Sequence, residues 1–174
     1  FGVCFTSEPA QTRRIWVFTL VLGYSRHLWG RFVLRQDLPT LVRLHREAFT
    51  ALGGVPRQIL YDRMKTAVID EPDPGHIVYN ARLLDVAAHY GFTPKACAAY
   101  RAKTKGKVER FNGYLKGSFL VPLAATLKSA GLRLDVDVAN AHIGRWMAEV
   151  ADVRTHGTTG EQPAARMSEE RRHL

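Results

Sequence analysis

Cysteine is nearly missing: Cys4 and Cys97 are the only two in 174 residues, and they form no CxxC pair. Thiols so far apart read as small buried side chains in a reducing compartment, not as a disulfide framework. The seven histidines do not group with cysteine at metal-ligand spacing, which excludes a structural zinc site. No Gly-rich P-loop occurs, so ATP use by this chain is excluded, and Ser25 has no companion base that would make it a nucleophile. The run "WVFTLVLGY" is too short to cross a bilayer, and no signal-peptide pattern is present. Internal repeats and low-complexity tracts are missing as well. The chain opens on "FGVCF", strand-like and without an initiator methionine, which reads as a piece of something longer.

Acidic residues are the other shortage. Sixteen Asp and Glu face 25 Lys and Arg, a formal charge of +9. That excess favours an anionic partner, nucleic acid ahead of a membrane surface. Hydrophobic residues make up 46%, enough for one domain with an ordinary core and too many for a disordered chain.

The pattern along the chain is mixed α/β. "FGVCF" and "RRIWVFTLVLGYS", joined through Glu8-Pro9, predict a hairpin, and "HLWGRFVLRQ" predicts a third antiparallel strand. Asp37 reads as the N-cap of a helix ending at Gly53-Gly54. "RQILYD" predicts a short apolar strand stopping at Asp62, and 70–75, "DEPDPG", a turn-rich loop with solvated acids. "NARLLDVAAHYG" reads as a helix and "FTPKACA" as an extended segment. From about 104 an apolar stripe of Val108, Phe111, Leu115 and Phe119 predicts a helix. A last long helix, roughly 136–151, carries Val138, Ile143, Trp146, Met147 and Val150. The expected domain covers 1–152, followed by a loop and a short charged helix over 153–174.

Two carboxylates stand out. Asp62 ends a predicted buried strand, where α/β sheets open onto ligand crevices; a turn or cap aspartate is the plain alternative. Glu109 follows the basic run Arg101, Lys103, Lys105 and Lys107 and precedes Arg110. A carboxylate early in a helix is favourable through the helix dipole alone. Seven residues on, Lys116 falls about 20° from Glu109 at 100° per residue, so acid and base share a face. Gly113 and Gly117 keep that side slim. Converging carboxylates suit phosphoryl transfer by two divalent metals, with nearby cations holding DNA phosphates. "HGTTG" at 156–160 is either an anion-binding turn or a structured loop.

The blocks "LGYSRHLWGRFV", "ALGGVPRQILYDRMKTAV", "AAHYGFTPKAC", "YRAKTKGKVER" and "RTHGTTGEQPA" resemble, in order over roughly 13–168, those of the IstA-type insertion-sequence transposases. The resemblance implies a retroviral-integrase-like catalytic core with the RNase H-like fold: a mixed five-stranded sheet, three antiparallel strands then two further strands, flanked by helices. It also implies an Asp-Asp-Glu triad, two Mg²⁺ ions (Mn²⁺ as substitute), and transfer of transposon 3′ ends into target DNA. Asp62 matches the second aspartate, Glu109 the glutamate, and Lys116 the basic position following it. The first aspartate is expected immediately before Phe1; Glu8, in the hairpin turn, is rejected as a substitute. As given, the chain is expected to be weak or inactive. Arg63 stands where the family often has Asn.

The implied partners are transposon-end and target DNA, further copies of the chain on that DNA, and a separate ATPase helper, in a bacterial cytoplasm at the nucleoid and with no membrane. Arg101, Lys103, Lys105, Lys107, Arg110 and Lys116 are the expected DNA contacts, through phosphates more than bases. Two alternatives stay open: a non-catalytic nucleic-acid-binding or assembly module on the same fold, and an RNase H-like nuclease.

Overall fold

The computed structural model describes residues 2–8, 11–62, 64–73, 75–97 and 102–174, with side chains described outside 2–13 and 102–108. Strands β1 (Gly2–Glu8), β2 (Gln11–Val21) and β3 (Leu28–Val33) precede helix α1 (Leu38–Leu52). Then come β4 (Gln58–Tyr61), β5 (Val68–Asp73), β6 (His76–Tyr79), α2 (Ala81–Tyr90) and β7 (Thr93–Ala96). Helices α3 (Ala102–Leu115), α4 (Val121–Ser129), α5 (Val136–Trp146) and α6 (Pro163–Glu170) complete the chain.

β2 is apolar on both faces, and that organises the molecule. Side chains alternate across a strand, so Ile15 and Val17 enter one buried cluster with Leu28, Phe32, Phe111, Leu115, Phe119, Ile143 and Trp146. Leu20 and Leu22, of opposite parity, enter a second cluster with Ala48, Phe49, Leu52, Tyr61, Leu83, Phe92 and Met167. The antiparallel register Trp16↔Val33 through Val21↔Leu28 keeps both parities aligned on β3. A one-residue slip would exchange the two faces. Helices therefore cover both sides: α3 and α5 on one, α1, α2 and α6 on the other.

Among the described residues β3 pairs with β2 alone, and its outer edge is partly closed by a side chain. Asn140 of α5 accepts from the Phe32 N–H at 2.8 Å and donates to the Phe32 C=O at 2.9 Å, as a neighbouring strand would. Gly30 allows the close approach: a Cβ there would lie 3.3 Å from Ile143 Cδ1.

The helix ends follow the sequence. Asp37 accepts from the Thr40 N–H at 2.9 Å, and Gly53 closes α1 at φ 73°, a left-handed conformation suited to glycine. Asn80 caps α2, and Gly91 ends it.

Three expectations are corrected. The 70–75 stretch is not a plain loop, because β5 and β6 pair as an antiparallel hairpin turning at Gly75. The β-formers Val68, Ile69, Ile77, Val78 and Tyr79 outweigh the turn residues between them. The single five-stranded mixed sheet is replaced, among the described residues, by the β1–β2–β3 sheet, the parallel pair β4–β7 and the β5–β6 hairpin. β4 and β7 are four residues long, and Pro94 removes an N–H from β7, so little ladder is available to join them to more. Finally, the helix expected over roughly 136–151 is helical throughout, turning from α to π at Met147–Ala151 as the preceding run does at Lys116–Leu120, but Val150, expected among its apolar residues, is exposed.

Candidate metal and nucleic-acid site

β4 and β7 run parallel with Tyr61 opposite Ala96, and the Cys97 N–H bonds the Tyr61 C=O at 2.9 Å. Asp62 follows directly, exposed at the carboxyl end of this ladder, and the chain turns there as the Met64 N–H bonds the Asp62 C=O at 2.6 Å. Tyr61 anchors the strand end from below. It is 4% exposed, and its hydroxyl lies 2.8 Å from Nε2 of the buried His45. His45 Nδ1 sits 2.7 Å from the Leu41 C=O. A carbonyl only accepts, so Nδ1 carries the proton and Nε2 accepts from Tyr61. The His45 ring is packed among Phe18, Phe49 and Phe92, and burial pushes its pKa down, keeping it neutral.

Glu109 lies on α3 with its side chain exposed. Phe111, Leu115 and Phe119 are buried against the first cluster, at 6%, 1% and 5% exposure. Each such burial is worth about 1.5–3 kcal/mol, so the stripe fixes the rotation of the helix and leaves Glu109 and Arg110 outward. The α-helical repeat runs to Leu115, and Lys116, also exposed, opens the π-helical turn. Glu109 on α3 and Lys116 at the start of that turn are thus both exposed on one continuous helical run. Nothing lies within 4 Å of a Cβ built at Gly113 or Gly117, so internal packing does not require glycine at either position. The side chains of Lys103, Lys105 and Lys107, the Val108 side chain, and the whole of Arg63 and Arg101 lie outside the described residues.

Past α5 the chain returns toward α3. The Arg154 guanidinium lies over the Tyr114 ring, 4.2 Å from its centroid, and donates to the Ala151 C=O. In "HGTTG" the Thr159 and Gly160 N–H groups bond the His156 C=O at 3.1 and 2.8 Å, and the Thr158 N–H bonds His156 Nδ1 at 3.2 Å. Those donors are spent inside the loop, which favours the structured-loop reading over an anion-binding turn. His156 is held below its ordinary pKa by burial and then by Arg154, Arg26 and Arg110. Sequence reasoning missed Arg154, since only the fold brings it onto the Tyr114 ring of α3.

The integrase core domain model matches residues 3–102 of the chain. The chain belongs to the integrase core domain family. Within that family its relatives are insertion-sequence transposases. It is 38% identical over 154 residues to the putative transposase for insertion sequence element IS5376 of Geobacillus stearothermophilus, covering 88% of this chain and 36% of that protein. It is 36% identical to the transposase for IS21 of Pseudomonas aeruginosa, covering 88% and 37%. The chain thus spans little more than a third of the length of these curated relatives. The HTLV-2 integrase catalytic core domain, solved in complex with magnesium, superposes with a TM-score of 0.62 at 15% identity, covering 95% of this chain and 93% of that one. A chain of the simian T-cell lymphotropic virus intasome in complex with PP2A regulatory subunit B56 gamma gives 0.64 at 16% identity, covering 95% and 52%. This likeness shows the fold, the RNase H-like α/β architecture of an integrase core. The transposase core expected from the sequence is thereby supported at family and fold level.

Proposed function

We propose that this integrase core belongs to a transposase that cuts at transposon ends and joins the 3′ ends to target DNA, with Asp62 and Glu109 as metal-holding carboxylates. The observation that carries the reading is the position of Asp62, exposed at the carboxyl end of the β4–β7 ladder in a chain of this family. Exposed carboxylates offer only oxygen donors, which suits Mg²⁺ or Mn²⁺. Among the described residues no three His, Cys, Asp or Glu side chains gather into a metal site. The proposed holders are these two carboxylates, one directly after β4 and one on α3. When bound, two such ions would supply Lewis-acid activation and charge neutralisation at the reacting phosphate.

The rest is done by the chain's own groups. Lys116, on the helical run that carries Glu109, and Arg110 would hold DNA phosphates, joined by Arg101, Lys103, Lys105 and Lys107 of the basic run. The bare Gly113–Gly117 surface lets the duplex approach the helix. The segment 153–174 forms a tail docked on the 1–152 core. Working on two DNA ends calls for more than one copy, and the resemblance supports an ATPase helper and a bacterial cytoplasmic, nucleoid-associated setting. No helix among the described residues is long and apolar enough to cross a membrane.

The test is a joined-product assay on the full-length protein. Asp62→Asn and Glu109→Gln should each lower strand transfer at least about 100-fold, since each removes a charged metal ligand, with duplex affinity unchanged within about twofold. Transfer at the wild-type rate in either variant would remove that carboxylate from the site. Cleavage with no joined product from the wild type would favour a nuclease.

A further inference from the structure

We infer that the groove between α1 and α2 receives the acidic β5–β6 hairpin of a second copy of this chain, and that two copies exchange hairpins in this way. The inference stands apart from the metal assignment and supplies a contact between copies, which work on two DNA ends calls for.

The groove is the first observation. It encloses about 800 Å³ along α1 and α2. Its floor is apolar: Val42 of α1 with Val86 and Tyr90 of α2, all half-buried. Its rim is basic, with Arg43, Arg46 and Arg82 exposed against the single acid Asp85. Arg43 is committed to Glu47 at 2.5 Å. Among the described residues neither Arg46 nor Arg82 is in an ion pair. A basic rim over an apolar floor suits a partner that brings both carboxylate and hydrocarbon, whereas a nucleic-acid backbone brings charge alone.

The occupant is the second observation. Residues 66–81 hold three acids, Asp70, Glu71 and Asp73, and no Lys or Arg, in a chain of +9. The β5–β6 pairing, with Asp73 opposite His76 and the turn at Gly75, gathers them toward the hairpin's turn. Asp70 and Asp73 are exposed and, among the described residues, in no ion pair. Ile69, next to Asp70, is 60% exposed. Successive side chains leave opposite faces of a strand, so a hairpin lying in the groove turns Ile69 to the floor and Asp70 to the rim. Among the described residues none of the hairpin lines the groove of its own chain. β6 runs into α2 through Asn80, the N-cap of that helix, so each copy carries hairpin and groove wall on one connected unit. A two-fold arrangement then satisfies both contacts at once.

The test is sedimentation velocity of this chain without DNA, read across protein concentration at low and high salt. The wild type should self-associate, and more weakly as salt screens the charge pairs. A groove variant, Arg46→Glu with Arg82→Glu, and a hairpin variant, Asp70→Lys with Asp73→Lys, should each weaken association at least about tenfold, since each sets like charges together in both contacts. An equimolar mixture of the two should restore it, because acidic groove then meets basic hairpin and basic groove meets acidic hairpin. All four side chains are exposed, so both variants should melt near the wild type, and either alone tests its half of the contact. A wild type that stays monomeric would overturn the inference and leave the groove to a different acidic partner. Association unchanged by the reversals would overturn it as well, placing the contact between copies on another face. Loss in both variants without recovery in the mixture would overturn the hairpin as the occupant.

Discussion

Tyr61 and His45 tie the position of Asp62 to the protonation of a buried imidazole. Folded, His45 stays neutral because burial holds its pKa down; unfolded, it takes up a proton near pH 6.5. Between those two values the unfolded chain binds more protons. Stability should therefore be flat above about pH 6.5 and fall as pH drops below it. His156, also held down, acts in the same direction. Thermal melts from roughly pH 8 to pH 5 should show this loss, and His45→Leu should flatten part of it. That variant strands the buried Tyr61 hydroxyl at a cost of about 1–3 kcal/mol, part of which Tyr61→Phe should restore. Equal pH slopes in wild type and His45→Leu would refute the assignment. None of this was legible beforehand. His45 sits sixteen residues from Tyr61, and its partner became visible only once α1 packed on β4. Asp62 was legible, because a short apolar strand that stops at an aspartate has a local signature.

Helices α3 and α5 carry predictions of their own. Glycine inside a helix costs roughly 0.5–1 kcal/mol against alanine, and nothing packs on Gly113 from within. Gly113→Ala should raise stability by about that amount in denaturant melts, and it should lower strand transfer if DNA passes over this face. A stabilised variant with full transfer would mean that the face is not used. Asn140→Leu removes both bonds to Phe32 and should cost about 1–3 kcal/mol, with the outer edge of β3 losing hydrogen-exchange protection first. Most elements were readable because caps and apolar periodicity are local: Asp37, Asn80, Gly53 and Gly91 lie where the helix ends require them. The β5–β6 hairpin was not, since "DEPDPG" carries strong turn residues and the pairing of Val68 with Tyr79 reaches past them. The π-helical turn at Lys116–Leu120 left no local mark in an otherwise regular stripe.

Taken as a whole, the molecule is a cation of +9 with its exposed carboxylate Asp62 at the end of one ladder and Glu109 on a helix beside a basic run. Salt should govern its grip on DNA, while the two carboxylates should govern chemistry without greatly affecting that grip. The family was legible because its sequence blocks follow one another in order along nearly the whole chain. Convergence of residues from distant segments was not, and Arg154 stacked on Tyr114 is the clearest instance. The most direct test of the central claim is anomalous diffraction from Mn²⁺-soaked crystals of this chain. A peak within coordinating reach of both the Asp62 and Glu109 carboxylates, about 2–2.5 Å, is the predicted result. No peak, with the two carboxylates more than about 8 Å apart and turned away from each other, would contradict it, since ions in such sites lie only about 3.5–4 Å apart.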